Sequence, residues 1–262
     1  MTHIIAIANA KGGVAKTTTA LSLGASLAEM GERVLLIDFD PHANLTIAIG
    51  TNPASHERTV AGLLMGNDEL QSVIIPTNYL NMELVPSNNE LNLAEPHLLV
   101  RDDYMMLLHQ KLRYDRTYDV IIIDCPPTSG TLTKIALSTS DLLIIPSQPE
   151  YFSAHALRDM LNMVLAIRQR NNAKLRYRIL LTMLDKRNRI HRSLAEQIRT
   201  AFNEAIFDTE IEIDTRLRES VIMGQPINQY APESRATLQY RELAKETRHI
   251  TNELEQRNTT TP

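Results

Sequence analysis

Lys11 and Lys16 stand five residues apart in the string Asn9-Ala10-Lys11-Gly12-Gly13-Val14-Ala15-Lys16-Thr17-Thr18. Glycines let a backbone turn successive N–H groups toward one point, and a lysine and a hydroxyl at the far end suit a phosphate chain and a divalent cation. The string follows the short apolar run Ile4–Ala8 and opens a helix pattern over Thr17–Met30, with Ala20, Leu21, Leu23 and Leu27 on one stripe and Gly31 as its stop. Strand, glycine-rich turn and helix N-terminus in that order make an anion site, because the helix end adds its positive dipole. Lys16 is therefore expected on the β- and γ-phosphates of a nucleotide and the Thr17 hydroxyl on Mg²⁺. The loop from Lys11 through Gly12, Gly13, Val14 and Ala15 to Thr18 is expected to wrap the phosphates. The GxxxxGK[ST] pattern is not met, since Ala10 and Ala15 occupy glycine positions; KGGxxKT is met instead, with Lys11 as an additional lysine. Alanine tolerates positive φ poorly, so Ala15 is expected at an ordinary negative φ.

Carboxylates complete the set. Leu35-Leu36-Ile37-Asp38-Phe39-Asp40-Pro41 reads as a strand that ends in two acids. Tyr118-Asp119-Val120-Ile121-Ile122-Ile123-Asp124-Cys125-Pro126-Pro127 reads as another ending in one. Carboxylates at the carboxyl ends of parallel strands project into the ligand crevice. Asp124 is expected to hold Mg²⁺ through its water shell, and the two prolines to stop the strand. Cys125 reads as a small packed residue, not a nucleophile.

The elements that must hold these groups are short β-branched runs alternating with helix patterns. The runs are Ile4–Ala8, Arg33–Ile37, Met82–Val85, Val120–Ile123, Leu142–Ile145 and Arg178–Leu181. Their near-continuous apolarity indicates strands covered on both faces. Helix patterns cover Thr17–Met30, Ser153–Arg170 and Ser193–Ala205. This alternation predicts an α/β fold with a doubly wound, mainly parallel sheet flanked by helices. One domain over 1–255 is expected, with weak patterning over 51–80 and a polar, disordered tail over 256–262.

Composition sets limits. The chain has 262 residues, 43% of them hydrophobic, enough to bury a core without staples. One Cys excludes a disulfide framework and any multi-cysteine metal site or iron–sulfur cluster within one chain. No signal peptide or membrane span is legible, and a cytoplasmic protein is the default. Taken as a sum, the net charge of −4 argues against a nucleic-acid partner. Its distribution says otherwise. Residues 168–199 hold ten basic residues against two acids, a local charge of +8 that leaves −12 for the remainder. Arginine-rich segments suit phosphate backbones, and the missing aromatic interleaving implies backbone contact without base readout. A solvated basic face is the other reading of such a run.

The loop Lys11–Thr18, the Asp38–Asp40 pair and the strand ending at Asp124 together resemble the deviant Walker A ATPases, the ParA/MinD superfamily, over nearly the whole chain. The resemblance implies ATP and Mg²⁺ as cofactors. It implies a sandwich homodimer in which Lys11 reaches the nucleotide of the other subunit. It makes Asp40 the residue that positions or activates water and puts Asp38 in the Mg²⁺ shell. His42 stands where the family has Gln and reads as a surface loop histidine. The stretch around Met183 is implied near the adenine, as is Asp214, although Glu212-Ile213-Asp214 replaces the family's Pro-Arg-Asn. Non-specific double-stranded DNA is implied as a partner, with Lys186, Arg187, Arg189, Arg192 and Arg218 as candidates and Arg216 as a structural residue.

Within the superfamily, a single cysteine excludes the nitrogenase iron-protein and CxxC scaffold branches. The mixed-charge end lacks the basic amphipathic helix of the membrane-bound MinD branch, and no tyrosine cluster marks a kinase. Gly224-Gln225-Pro226-Ile227 through Leu243 resembles the ParA/Soj ending instead. The expectation is a nucleoid-associated partition ATPase, stimulated by a ParB-like or McdB-like protein, that moves a chromosome, a plasmid or a protein cargo such as carboxysomes. A metabolic P-loop ligase of the dethiobiotin-synthetase kind and an ATP-dependent DNA-binding regulator are the alternatives.

Overall fold

The computed structural model describes residues 2–112, 115–151 and 153–259, with side chains to residue 256. Eight strands form one sheet in the order β3-β4-β2-β5-β1-β6-β7-β8. They are β1 (His3–Ile7), β2 (Val34–Asp38), β3 (Ile75–Pro76), β4 (Met82–Val85), β5 (Val120–Asp124), β6 (Leu142–Ser147), β7 (Arg176–Leu184) and β8 (Ile206–Glu212). Every neighbouring pair is parallel except β3 with β4. The doubly wound, mainly parallel α/β sheet expected from the alternation is the fold observed.

The strands read as continuous apolar runs because each face has its own core. Ile5, Ile7, Leu36, Ile122 and Ile144 face a cluster that includes Leu23 and Leu27 of the first helix and Tyr240 and Leu243 of the last. Ala6, Leu35, Ile37, Ile121, Ile123 and Ile145 face a second cluster with Leu132, Ile135, Leu157 and Val164. Two-residue side-chain periodicity sorts neighbours onto opposite faces, and both faces are dry. The helix Lys16–Glu29 lies very close to β2: a Cβ at Gly24 would come within 2.8 Å of Leu36 Cδ2.

Element bounds differ from expectation at the edges. The helix Ser153–Arg170 coincides with its predicted span, and the predicted Ser193–Ala205 segment begins earlier, as Arg189–Phe202 followed by a turn of 3₁₀ helix over Asn203–Ala205. Residues 51–80 hold short helices such as Val60–Met65 and Leu70–Val73. The last helix, Arg235–Thr259, runs past the expected tail boundary at 255, and residues 260–262 lie outside the described residues. Among the described residues no helix is long and apolar enough to cross a membrane.

Candidate functional site

Strand order brings the candidates together. β1 lies between β5 and β6, and the register pairs Ile7 with Asp124 and Asp38 with Asp124. The loop after β1 and the acids ending β2 and β5 therefore meet in one crevice at the carboxyl edge of the sheet, where open α/β folds bind ligands. The loop is tied down from several sides. Asn9 donates to the Pro146 carbonyl at 2.7 Å and accepts from Lys11 N–H at 3.0 Å, while Thr182 of β7 donates to the Val14 carbonyl at 3.1 Å.

Ala15 corrects an expectation. Its φ is +66° and its ψ is 34°, left-handed and not the negative φ expected of alanine. It caps the helix Lys16–Glu29, and its carbonyl accepts from Thr19 N–H at 2.9 Å. The loop closure needs a left-handed residue just before Lys16, so the chain carries a cost of about 1–2 kcal/mol that a glycine would avoid. Positive φ at a non-glycine residue recurs at Met183, at +53°, where the β7–β8 register shifts.

Lys16 is buried, and its Nζ donates to the Lys11 carbonyl at 3.1 Å. Burial lowers its pKa, with Asp124, Cys125 and Asp40 opposing the shift. Asp124 is completely buried, and neither carboxylate oxygen has a hydrogen-bond partner. Burial and the Asp38 charge hold its pKa well above the carboxylate range; the neighbouring Thr17 hydroxyl and Lys16 ammonium pull the other way. Two unpartnered carboxylate oxygens beside a hydroxyl, under an anion-receiving loop, are the donor set that hydrated Mg²⁺ on a phosphate requires. The residues fit that group. Cys125 is buried and its thiol is pushed up by burial and by Asp124, which leaves it protonated and inert.

Asp38 is placed differently from Asp124. Its Oδ2 accepts from Thr46 N–H at 2.8 Å and Thr46 Oγ1 at 2.7 Å, and its Oδ1 accepts from Asp40 N–H at 3.1 Å. Burial still pushes its pKa up to about 6. Asp38 thus pins the 39–46 loop, and any part it takes in a metal shell is shared with that duty. Asp40 is 4% exposed and sits at the head of this loop.

The uncompensated charge on Asp124 has a measurable cost. A carboxyl whose folded pKa is raised stabilises the fold only while protonated, and that contribution is lost as pH rises above the unfolded value. Asp124→Asn is therefore expected to raise the melting temperature of the nucleotide-free protein at neutral pH. The amide stays unpaired but takes up no proton on folding, so a gain of about 1 kcal/mol or more is expected, a few °C in a domain of this size. The gain should shrink toward pH 4. Thermal melting at several pH values checks this, and a lower melting point in the variant at neutral pH would count against the assignment.

Lys11 is not free in this structure. Its Nζ pairs with Glu150, which follows β6. Residue type and a place after a strand end do not by themselves pair Glu150 with Lys11. A cavity of about 430 Å³ adjoins the loop, lined by Gly13, Ala15, Thr18, Met183, Asp214 and Arg218 among others. Met183 and Asp214 thus line one space with the phosphate loop. Asp214 caps the helix Thr215–Ile222 and holds Arg216 at 3.3 Å, in keeping with a structural Arg216.

The basic segment is not one patch. β7 spans nine residues, roughly 26 Å, and runs through it. Arg168, Arg176 and Arg178 line a cavity at the amino edge of the sheet, with the Arg168 guanidinium 5.7 Å from the Tyr177 ring centre. Lys186, Arg187, Arg189 and Arg192 lie at the carboxyl edge. Lys186 pairs with Glu210 at 3.2 Å and Glu212 at 3.3 Å, and Arg187 with Asp185 at 3.1 Å. Arg192 donates to the carbonyls of Lys186, at 2.6 Å, and Arg187, at 3.3 Å. Arg189 and Arg218 have no ion pair among the described residues. Glu212 also binds Arg235 at 2.8 Å and lines the large cavity, so one carboxylate joins the cavity wall to the basic surface.

Relatives bear on this geometry. A family model described as an AAA domain matches residues 2–177. The chain is 39% identical over 248 residues to the sporulation initiation inhibitor protein Soj of Bacillus subtilis, covering 94% of this chain and 98% of that protein. It is 36% identical over 246 residues to the chromosome partitioning protein ParA of Myxococcus xanthus, covering 93% and 87%. Among solved structures, it matches cobyrinic acid a,c-diamide synthase from Mycobacterium smegmatis with bound ADP and magnesium. That match has a TM-score of 0.83 and 32% identity and covers 94% of this chain and 93% of the other.

Proposed function

The chain belongs to the ParA/Soj family of deviant Walker A ATPases, and on that premise we propose that it is an ATP-switched partition or positioning ATPase. The observation that carries this reading is the pair of buried, unpartnered Asp124 oxygens beside Lys16 and Thr17. That arrangement suits a cation and phosphates. The bound ADP and magnesium of the 32%-identical M. smegmatis protein support ATP and Mg²⁺ as the ligands.

Mg²⁺, when bound, neutralises charge on the phosphate oxygens. Thr17 would hold it and Asp124 would do so through its water shell, Asp38 anchors the adjoining loop, and the N–H groups from Gly12 to Thr18 would bind the phosphates. Lys16 reaches the β- and γ-phosphates. Met183 and Asp214 border the base. Asp40 orients the attacking water. Lys11 leaves Glu150 and reaches across to the nucleotide of a second copy, so the homodimer closes only when both sites are filled. A ligand drives such a switch by binding one state better than the other.

The closed dimer presents its basic edge twice to non-specific double-stranded DNA, and doubling a weak contact strengthens it by avidity. Arg189 and Arg218 are the best placed to meet phosphates, with Arg192; Lys186 and Arg187 must first leave their carboxylates. Hydrolysis, slow alone and stimulated by a ParB-like or McdB-like partner, releases the protein from the nucleoid. The cargo is a chromosome, a plasmid or a protein assembly such as carboxysomes.

Unrelated duplex DNA is thus expected to bind with ATP and Mg²⁺ and not with ADP. With about four phosphate contacts, affinity should fall roughly 100-fold between 50 and 200 mM salt. Equal binding with ADP would sink the switch. The likeness to the M. smegmatis synthase favours a second reading, a metabolic ligase. A ligase would hydrolyse or transfer phosphate without any response to DNA. A DNA-binding regulator would show the nucleotide switch with no partner-stimulated release.

A further inference from the structure

We propose that His42 is a positioning residue: it fixes the Asp40 carboxylate so that one oxygen is held and the other faces the attacking water. This rests on the reading of Asp40 given above. Both the His42 backbone N–H and its ring Nδ1 lie 2.9 Å from the same atom, Asp40 Oδ1. Asp40 Oδ2 receives no hydrogen bond from any described residue. The Asp40 side chain is 6% exposed and that of His42 75%, so the ring lies over the carboxylate from the solvent side.

The surrounding loop keeps this geometry. Asp40 N–H is bound to Asp38 Oδ1, and the Asp40 carbonyl accepts from Ala43 N–H at 2.8 Å. Ala43 then turns left-handed, at φ +55°, to start the short helix Asn44–Ala48, whose Thr46 is bound to Asp38. Pro41, between the acid and the histidine, removes one backbone freedom. The backbone from 38 to 46 is closed on itself, and what these ties leave free in Asp40 is its two side-chain torsions. Two donors on Oδ1 restrict them.

An ionised carboxylate can only accept, so Nδ1 must carry the proton in this contact and a neutral ring has its acceptor at Nε2. That tautomer is a consequence of the contact, and an unattached surface histidine has no reason to adopt it. Alignment of a water-orienting group matters because reaction rates fall steeply when the reacting atoms are displaced. A side chain with an N–H at similar reach should substitute for the imidazole. One without it should not.

Two measurements test this. In nucleotide-free protein at about pH 8, ¹⁵N NMR of the imidazole should show a proton on Nδ1 and none on Nε2. Asp40→Ala should abolish the preference. A wild-type ring protonated at Nε2 would overturn the proposal, whatever the protein hydrolyses. In the second arm, His42→Ala should lower ATP hydrolysis roughly tenfold without weakening ATP binding. His42→Asn, whose amide nitrogen is bonded to Cγ as Nδ1 is and so meets Oδ1 at similar reach, should stay within about threefold of wild type. Wild-type rates in His42→Ala, or equal losses in both variants, would refute positioning. A wild-type protein without any ATPase activity would refute the functional reading, while the NMR arm would still decide the contact.

Discussion

Lys16→Ala is expected to lower nucleotide affinity by at least about 100-fold, close to 3 kcal/mol, and to remove every nucleotide-dependent behaviour of the protein. Lys16 is the buried cation of the crevice, and its pKa is lowered by that burial, so its ammonium is held dry and directed inward. Its Nζ has one bond to the Lys11 carbonyl, which leaves donors for phosphate oxygens. In the variant, the bound phosphates would meet Asp38, Asp40 and Asp124 with no fixed cation inside the loop. The surrounding fold should survive, because the helix from residue 16 is held by its apolar face. Titration with a fluorescent ATP analogue, beside a thermal melt, separates loss of binding from loss of fold. Affinity within tenfold of wild type in a folded variant would remove Lys16 from the site.

The second large effect concerns Asp40. Asp40→Ala should reduce hydrolysis at least about 100-fold and leave ATP binding intact, so that an ATP-bound dimer accumulates and stays on DNA. The expectation follows from where the acid sits. Asp40 lies close enough to Lys16 and Asp124 for their charges to interact, but the main-chain ties of its loop run through the Asp40 backbone to Asp38. Its side chain can be removed without unpinning Thr46, which is bound to Asp38. Size-exclusion chromatography with ATP and Mg²⁺, together with DNA retention over time, reads the outcome. Rapid turnover by the variant would remove Asp40 from the chemistry.

The central strands were legible because they are buried on both faces. β2 and β5 are apolar up to their closing Asp38 and Asp124 and β6 up to Pro146 and Ser147, while β1 and β4 each carry one polar residue, His3 and Glu83. β8 was not legible. Its sequence IFDTEIE alternates acids with apolar residues and resembles a polar loop, and only the sheet shows that Glu210 and Glu212 receive Lys186 and Arg199. β3 is two residues long and contains a proline, which no pattern could identify as a strand. The phosphate loop was found from its residue types, yet Ala15 misled because steric preference favours negative φ and the loop closure overrides it. Charge spacing suggested a single basic patch from 168 to 199, whereas β7 separates its two ends. The His42–Asp40 contact depends on a turn geometry that residue identities alone do not specify.

The ion pair between Lys11 and Glu150 bears on timing. Glu150 is 42% exposed and Lys11 27%, so water screens the pair and it is worth no more than about 1 kcal/mol. A restraint that small shifts a population by about fivefold at most. It cannot bar two chains from meeting, but it lets every early encounter dissolve more often than it matures. On the proposed cycle the pair would act as a delay, not a lock. A released molecule would re-engage up to about fivefold less often per encounter, and more of them would diffuse away from the place where they let go. Directed movement needs that forgetting: a protein that rebound where it was released would leave no gradient behind it.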